Sequence, residues 1–167
     1  ILSAALKKGA LDAAAYSRMI AVTTHPNTAG PDLAALAGVH AMTDVTGFGL
    51  GGHALEMARG SGCDITLDWG AVPLIEGVAG LAAAGHVTGA SARNWESYGA
   101  GITLPAAFPD LARALLCDPQ TSGGLLVSVR PDTLADAQAA FAAHGLSGTV
   151  IGTVGARNPA PRLHIDA

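Results

Sequence analysis

Charge is scarce in this 167-residue chain. Charged residues make up 13% of it, against about 25% in ordinary soluble domains, and nine Lys+Arg against thirteen Asp+Glu leave a net charge of −4. That excludes a nucleic-acid binder driven by a basic face, which needs many cations to neutralise phosphates. Cysteine is nearly absent: Cys63 and Cys117 alone build neither a disulfide framework nor a C-x-x-C site, so a reducing cytoplasm is the default expectation. Long apolar runs are missing as well. Gly, Pro and charges interrupt every stretch well short of the roughly 18 residues of a membrane span, and no basic-then-apolar leader opens the chain. Aromatics are 4%, yet half of the residues are hydrophobic and the mean hydropathy is +0.38, which excludes disorder. The apolar excess is mostly Ala and Gly. The length fits one domain, read as spanning 1–167. Because it starts Ile1-Leu2-Ser3 rather than with Met, the expectation is a piece of a longer protein, with part of its weakly charged surface facing a partner domain.

Helical and strand periods alternate along the chain. Residues 1–25 read as a helix or two, and Gly30-Pro31 opens a short helix that stops by Gly38. Val39–Thr43 reads as a strand, and a helix follows from about Leu50 to Arg59. Cys63–Trp69 alternates as a half-buried strand, and Leu74–Ala84 is a helix closed by Gly85. Residues 86–104 read as a long polar loop, a length usually reserved for function. Leu111–Leu116 is a helix, Leu125–Val129 a strand, and Pro131 opens a helix ending at His144-Gly145. Thr149–Val154 and Arg162–Ile165 are expected to pair as a hairpin around Asn158-Pro159. The order implies layered α/β architecture.

Two loops have the residues for chemistry. Thr43-Asp44-Val45-Thr46-Gly47-Phe48-Gly49 runs from a strand end through glycines into a helix, where free N–H groups attract anions. Gly47, Gly49 and Gly52 also satisfy G-x-G-x-x-G, with Asp68 placed to imitate a dinucleotide fingerprint. Asp44 argues otherwise: a bare carboxylate repels pyrophosphate, whereas a divalent cation between the two turns repulsion into coordination. The bland reading is that Asp44 caps a turn and the glycines let a helix pack closely. The second loop, Asp118-Pro119-Gln120-Thr121-Ser122-Gly123-Gly124, is either an anion-binding nest or ordinary turn chemistry.

Thr-Asp-Val-Thr-Gly-Phe-Gly at 43–49, Arg93-Asn94, and Asp-Pro-Gln-Thr-Ser-Gly-Gly-Leu-Leu at 118–126, in this order and spacing, resemble the C-terminal domain of the selenophosphate synthetase (selenide, water dikinase) family. The resemblance runs from Ser3 to the last strand. That family lies in the aminoimidazole ribonucleotide synthetase-like superfamily, which implies an α+β fold: a three-layer α/β/α domain with a mixed sheet flanked by helices. It also implies an ATP-dependent phosphotransferase that converts selenide, ATP and water into selenophosphate, AMP and phosphate with Mg2+. The implied metal ligand is Asp44, joined by carboxylates of an N-terminal domain. Thr46, Gly47, Gly49, Thr121, Ser122 and Gly123 are the implied nucleotide contacts. No catalytic residue falls in this chain, since the family's reactive Cys or selenocysteine and its Lys belong to the N-terminal segment. The implied partners are that N-terminal domain and, at full length, a second copy of the protein. Gly51 departs from the family's usual Leu, which loosens the helix start. The alternatives are a non-catalytic nucleotide- or partner-binding relative and a dinucleotide-dependent oxidoreductase.

Other residues read as structural. The histidines show no metal-ligand spacing, and His53 is given a packing or capping role. Cys63 and Cys117 are read as buried small hydrophobes, Asp64 and Asp68 as solvated strand-face charges, and Trp69 and Trp95 as packing anchors. Arg93 and Asn94 either reach a phosphate or fold onto the domain edge.

Overall fold

Apolar residues at helical and alternating spacing sort the chain into two sheets around one central helix in the computed structural model, which describes residues 1–166. The first sheet pairs β1 (Val39–Asp44) antiparallel with β4 (Leu125–Val129), placing Met42 opposite Val127 and Asp44 opposite Leu125. One face is covered by α3 (Gly30–Ala34) and α8 (Leu134–Ala143), where Leu33 and Ala137 pack with Met42, Val127 and Phe141. The central helix α4 (Gly49–Ser61) packs on both β1 and the second sheet. It buries Ala54, Leu55 and Ala58 among Ile65, Leu67, Leu163 and Ile165. Each such fully buried Leu or Ile contributes about 1.5–3 kcal/mol of transfer free energy. Helix α4 stops where Gly62 turns left-handed (φ 65°) and donates its N–H to Arg59 O.

The second sheet is mixed. Strand β2 (Cys63–Asp68) lies between β5 (Gly152–Arg157), to which it is antiparallel, and β6 (Leu163–Asp166), to which it is parallel; β3 (Ile102–Thr103) extends the β6 side. Helices α1 (Leu2–Lys7), α2 (Ala13–Thr23), α5 (Val78–Ala83) and α7 (Asp110–Leu116) form a satellite cluster around Ile1, Leu2, Met19, Val78 and Ala82. The layered α/β class with a mixed sheet and flanking helices is the one the sequence predicts.

Local expectations change at several points, among them the start of the helix expected from Leu74, which begins at Val78, and of the one expected from Pro131, which begins at Leu134. Strands β5 and β6 do not form a hairpin, because β2 lies between them. The carboxylate of Asp64 explains this: it accepts from Asn158 Nδ2 at 2.9 and 3.0 Å and from Arg162 N at 2.8 Å, so the Asn158-Pro159 link is held across β2. Asp64 is therefore a tethering group rather than a solvated charge. Residues 86–104 are not a loop but hold α6 (Gly89–Tyr98), whose start is capped by Thr88 Oγ1 accepting from Ser91 N. Its polar composition hid a helix fixed by tertiary contacts of Ser91, Trp95 and Tyr98. Cys63, the first residue of β2, is half-exposed, whereas Cys117 is buried as expected. Finally, Gly51 is buried inside an unbroken α4, so the helix start is closely packed rather than loosened.

Candidate nucleotide and metal site

The antiparallel β1–β4 pair delivers both motif loops to the same end of the sheet. Where the ladder stops at Asp44 and Leu125, Val45 N donates to Gly124 O at 2.9 Å and Gln120 N donates to Thr46 O at 3.0 Å. The loops touch more closely at Gly123, where a Cβ would stand 2.1 Å from Val45 O. Only glycine fits there. Gly49 begins α4 with φ 68°, and a Cβ on it would lie 2.8 Å from the carbonyl carbon of Cys117. Two motifs distant in sequence thus become one continuous surface.

Asp44 is exposed at the strand end, and no hydrogen-bond or ion-pair partner engages its carboxylate among the described residues. Beside it, the N–H groups of Thr46, Gly47 and Phe48 have no protein acceptor among the described residues, and neither do those of Thr121, Ser122 and Gly123. Clustered free N–H donors form anion-binding concavities. Gly49 contributes differently, because its N–H is committed to Thr46 O at 3.0 Å; its part is conformational. The donor set fits a phosphate with a divalent cation, since Asp44 supplies a hard oxygen and the backbone supplies donors. It is incomplete for the metal, as no cluster of three or more His, Cys, Asp or Glu that would hold an ion occurs among the described residues.

Sequence reasoning missed the supports of this surface. Asn94 Nδ2 donates to Gly47 O and to Cys117 O, both at 3.0 Å, so one amide clamps the two loops together. Asn94 is spent on the backbone, while Arg93 is exposed. Asp118 points inward, buried, with its carboxylate 3.3 Å from Ser91 Oγ. Asn27 Nδ2 holds Gly123 O at 3.0 Å. His53 is buried as expected, but it also reaches Thr46 Oγ1. The only legible signal for these supports was residue type, amide or carboxylate near a motif, because their partners lie far off in sequence.

The remaining groups are packing elements. Burial pushes the Cys117 thiol up, which keeps it protonated. Burial and the neighbouring Cys117 likewise raise Tyr98, whose hydroxyl donates to Phe48 O. Trp69 meets Phe108 edge-on at 5.7 Å, and Trp95 lies under the Arg113 guanidinium at 5.3 Å. Asp68 remains exposed and caps the Trp69–Ala71 turn through Gly70 N at 2.9 Å. Below the second loop a cavity of about 300 Å³ is lined by Met19, Val22, Trp69, Leu74, Leu116 and Leu126.

The glycine loop is not a dinucleotide fold. A dinucleotide unit needs parallel neighbouring strands joined by the helix, and here β1 and β2 belong to different sheets. Residues 21–162 match the family described as AIR synthase related protein, C-terminal domain. The chain belongs to this family. Within the family's neighbourhood, the chain is 57% identical over 145 residues to a selenide, water dikinase of Paraburkholderia xenovorans (strain LB400), covering 87% of the chain and 41% of that protein. It is 51% identical over 160 residues to a selenide, water dikinase of Pseudomonas straminea, covering 95% and 45%. The chain therefore spans about two fifths of the length of these relatives. Among solved structures, the thiamine-monophosphate kinase of Stenotrophomonas maltophilia K279a aligns with a TM-score of 0.59 and 20% identity, covering 99% of the chain and 46% of that structure. The hydrogenase maturation protein HypE of E. coli aligns with a TM-score of 0.52 and 23% identity, covering 81% and 35%. These two likenesses bear on the fold alone.

Proposed function

We propose that this chain is the C-terminal part of a selenide, water dikinase, and that it contributes half of an ATP site completed by an N-terminal domain. The observation that carries the reading is the meeting of the two motif loops, which presents the partnerless Asp44 carboxylate beside a group of free backbone N–H donors. On this reading Asp44 is one ligand of Mg2+, and further carboxylates come from the other domain. Bound there, magnesium neutralises phosphate charge and stabilises the charge that develops during phosphoryl transfer. The N–H groups of Thr46, Gly47, Thr121, Ser122 and Gly123 orient phosphate oxygens, with Gly49 setting the backbone for close approach. The chain supplies binding and electrostatics, while the nucleophile and the lysine come from the absent part.

The apolar cavity below the second loop, together with the exposed Leu74 and Val22 on its rim, supports a covering domain in the complete protein, since contiguous exposed apolar surface marks interaction sites. No described helix is long and apolar enough to cross a membrane, and the reading carries a cytoplasmic, homodimeric full-length enzyme. The test is the protein at its relatives' length, incubated with ATP, Mg2+ and selenide. AMP and phosphate formation that depends on selenide is expected, with none from the 167-residue chain alone. Turnover by the chain alone, or ATP cleavage indifferent to selenide at full length, sinks the proposal.

A further inference from the structure

The corner that leads into α3 reaches the second motif loop through one side chain. Asn27, half-buried, donates from Nδ2 to Gly123 O at 3.0 Å. A carbonyl oxygen only accepts, so the atom facing it has to be the amide nitrogen, and the orientation of the Asn27 side chain is fixed by that partner. Its backbone is held as well. Asn27 O accepts from Gly30 N at 3.1 Å and Thr28 N donates to Pro26 O at 2.8 Å, a tight turn running into the buried Ala29 and Leu33. From the other side His144, at the end of α8, lies between Thr28 Oγ1, 2.9 Å from Nδ1, and Asp32 Oδ2, 2.8 Å from Nε2. Asn27 therefore stands on a braced corner.

Its target is the peptide that most needs a hold. Gly123 and Gly124 are consecutive glycines, and with no Cβ on either side the peptide between them can turn through orientations closed to other residues. In a trans peptide the C=O and the N–H point in opposite directions. With Gly123 O engaged by Asn27, the Gly124 N–H points away from Asn27; Gly124 is exposed, and this N–H has no acceptor among the described residues. The next carbonyl is occupied too, because Val45 N donates to Gly124 O at 2.9 Å. The free donors of Thr121, Ser122 and Gly123 thus continue into a fourth. Turned over, the same peptide would put a carbonyl oxygen in that place, and an acceptor repels a phosphate oxygen.

Resting on the reading given under Proposed function, we infer that Asn27 is a positioning residue for the nucleotide: its amide holds the Gly123–Gly124 peptide in the orientation that adds the Gly124 N–H to the phosphate donors. The first measurement uses the chain itself. Backbone 15N relaxation should show Gly124 ordered in the parent, and in Asn27→Ala a lowered order parameter or microsecond-to-millisecond exchange there, while Ala29 and Leu33 stay ordered. Asn27→Leu, bulky but unable to donate, should loosen Gly124 in the same way. A Gly124 equally mobile in all three proteins, or one that Asn27→Leu keeps still, overturns the inference, the second because packing alone would then hold the loop.

The second measurement uses the full-length enzyme at saturating Mg2+. A donor to a charged phosphate that is made equally in ground and transition states shows in KM and not in kcat. Losing one such bond corresponds to about tenfold in affinity, so Asn27→Ala should raise KM for ATP about tenfold while kcat holds within about twofold. An unmoved KM overturns the inference, and so does a loss confined to kcat. Absence of selenide-dependent AMP formation in the unsubstituted enzyme instead sinks the functional reading and leaves the relaxation result standing.

Discussion

The Asp44 carboxylate has no hydrogen-bond or ion-pair partner among the described residues, so its substitution separates chemistry from folding. In the full-length protein Asp44→Ala should lower the rate about 100-fold or more, as expected for a lost metal contact worth several kcal/mol in the transition state. Its unfolding free energy should stay within about 0.5 kcal/mol of the parent, as for other exposed substitutions. Initial rates beside a melting curve check both. Gly123 behaves in the opposite way. A methyl group 2.1 Å from Val45 O must push the two loops apart, so Gly123→Ala should cost on the order of 3 kcal/mol, measured by denaturant unfolding of the chain. At this scale, residue type alone was informative for Cys117, which is buried. It failed for Cys63 and Asp64, whose surroundings depend on which strand arrives beside them.

Between elements, the joints are single side chains. Asn94 on α6 clamps the glycine loop and the end of α7 through two 3.0 Å bonds. Removing both in Asn94→Ala should cost about 1–3 kcal/mol, since the Cys117 carbonyl is left buried without its donor; amide exchange should quicken at 46–49 and 118–123 ahead of the rest of the chain. Asp64 joins β2 to the β5–β6 link. The Arg162 N–H and then the Asn158 amide hold its carboxyl below the ordinary value of 3.8. A lowered folded value means that the stabilisation is present above the unfolded value and is lost as pH falls through the folded one. Unfolding titrations taken into acid below 3.8 should therefore show the parent losing more stability than Asp64→Asn. The sequence shows α6 poorly, because the segment is polar on average and its stability comes from Trp95, Tyr98 and Ser91 packing on distant segments. It shows β1, β2, α4 and β4 well, because they are more apolar and their ends are marked by Gly or Pro.

For the whole molecule, the sequence by itself determined composition, the apolar pattern of most elements and the two motifs with their order. Those are local properties, written in spacing and residue type. Strand partners were not local. That β2 separates β5 from β6, and that β1 joins β4 rather than β2, was decided by long-range pairing, where a carboxylate such as Asp64 meets donors about a hundred residues away. The same holds for the candidate site. Asp44 and the Asp118–Gly124 loop could be picked out in the sequence one at a time. Their fusion into one surface, with Asn94 as clamp and His53 behind Thr46, followed from the antiparallel β1–β4 ladder, because only tertiary structure brings the ends of distant strands within hydrogen-bonding distance.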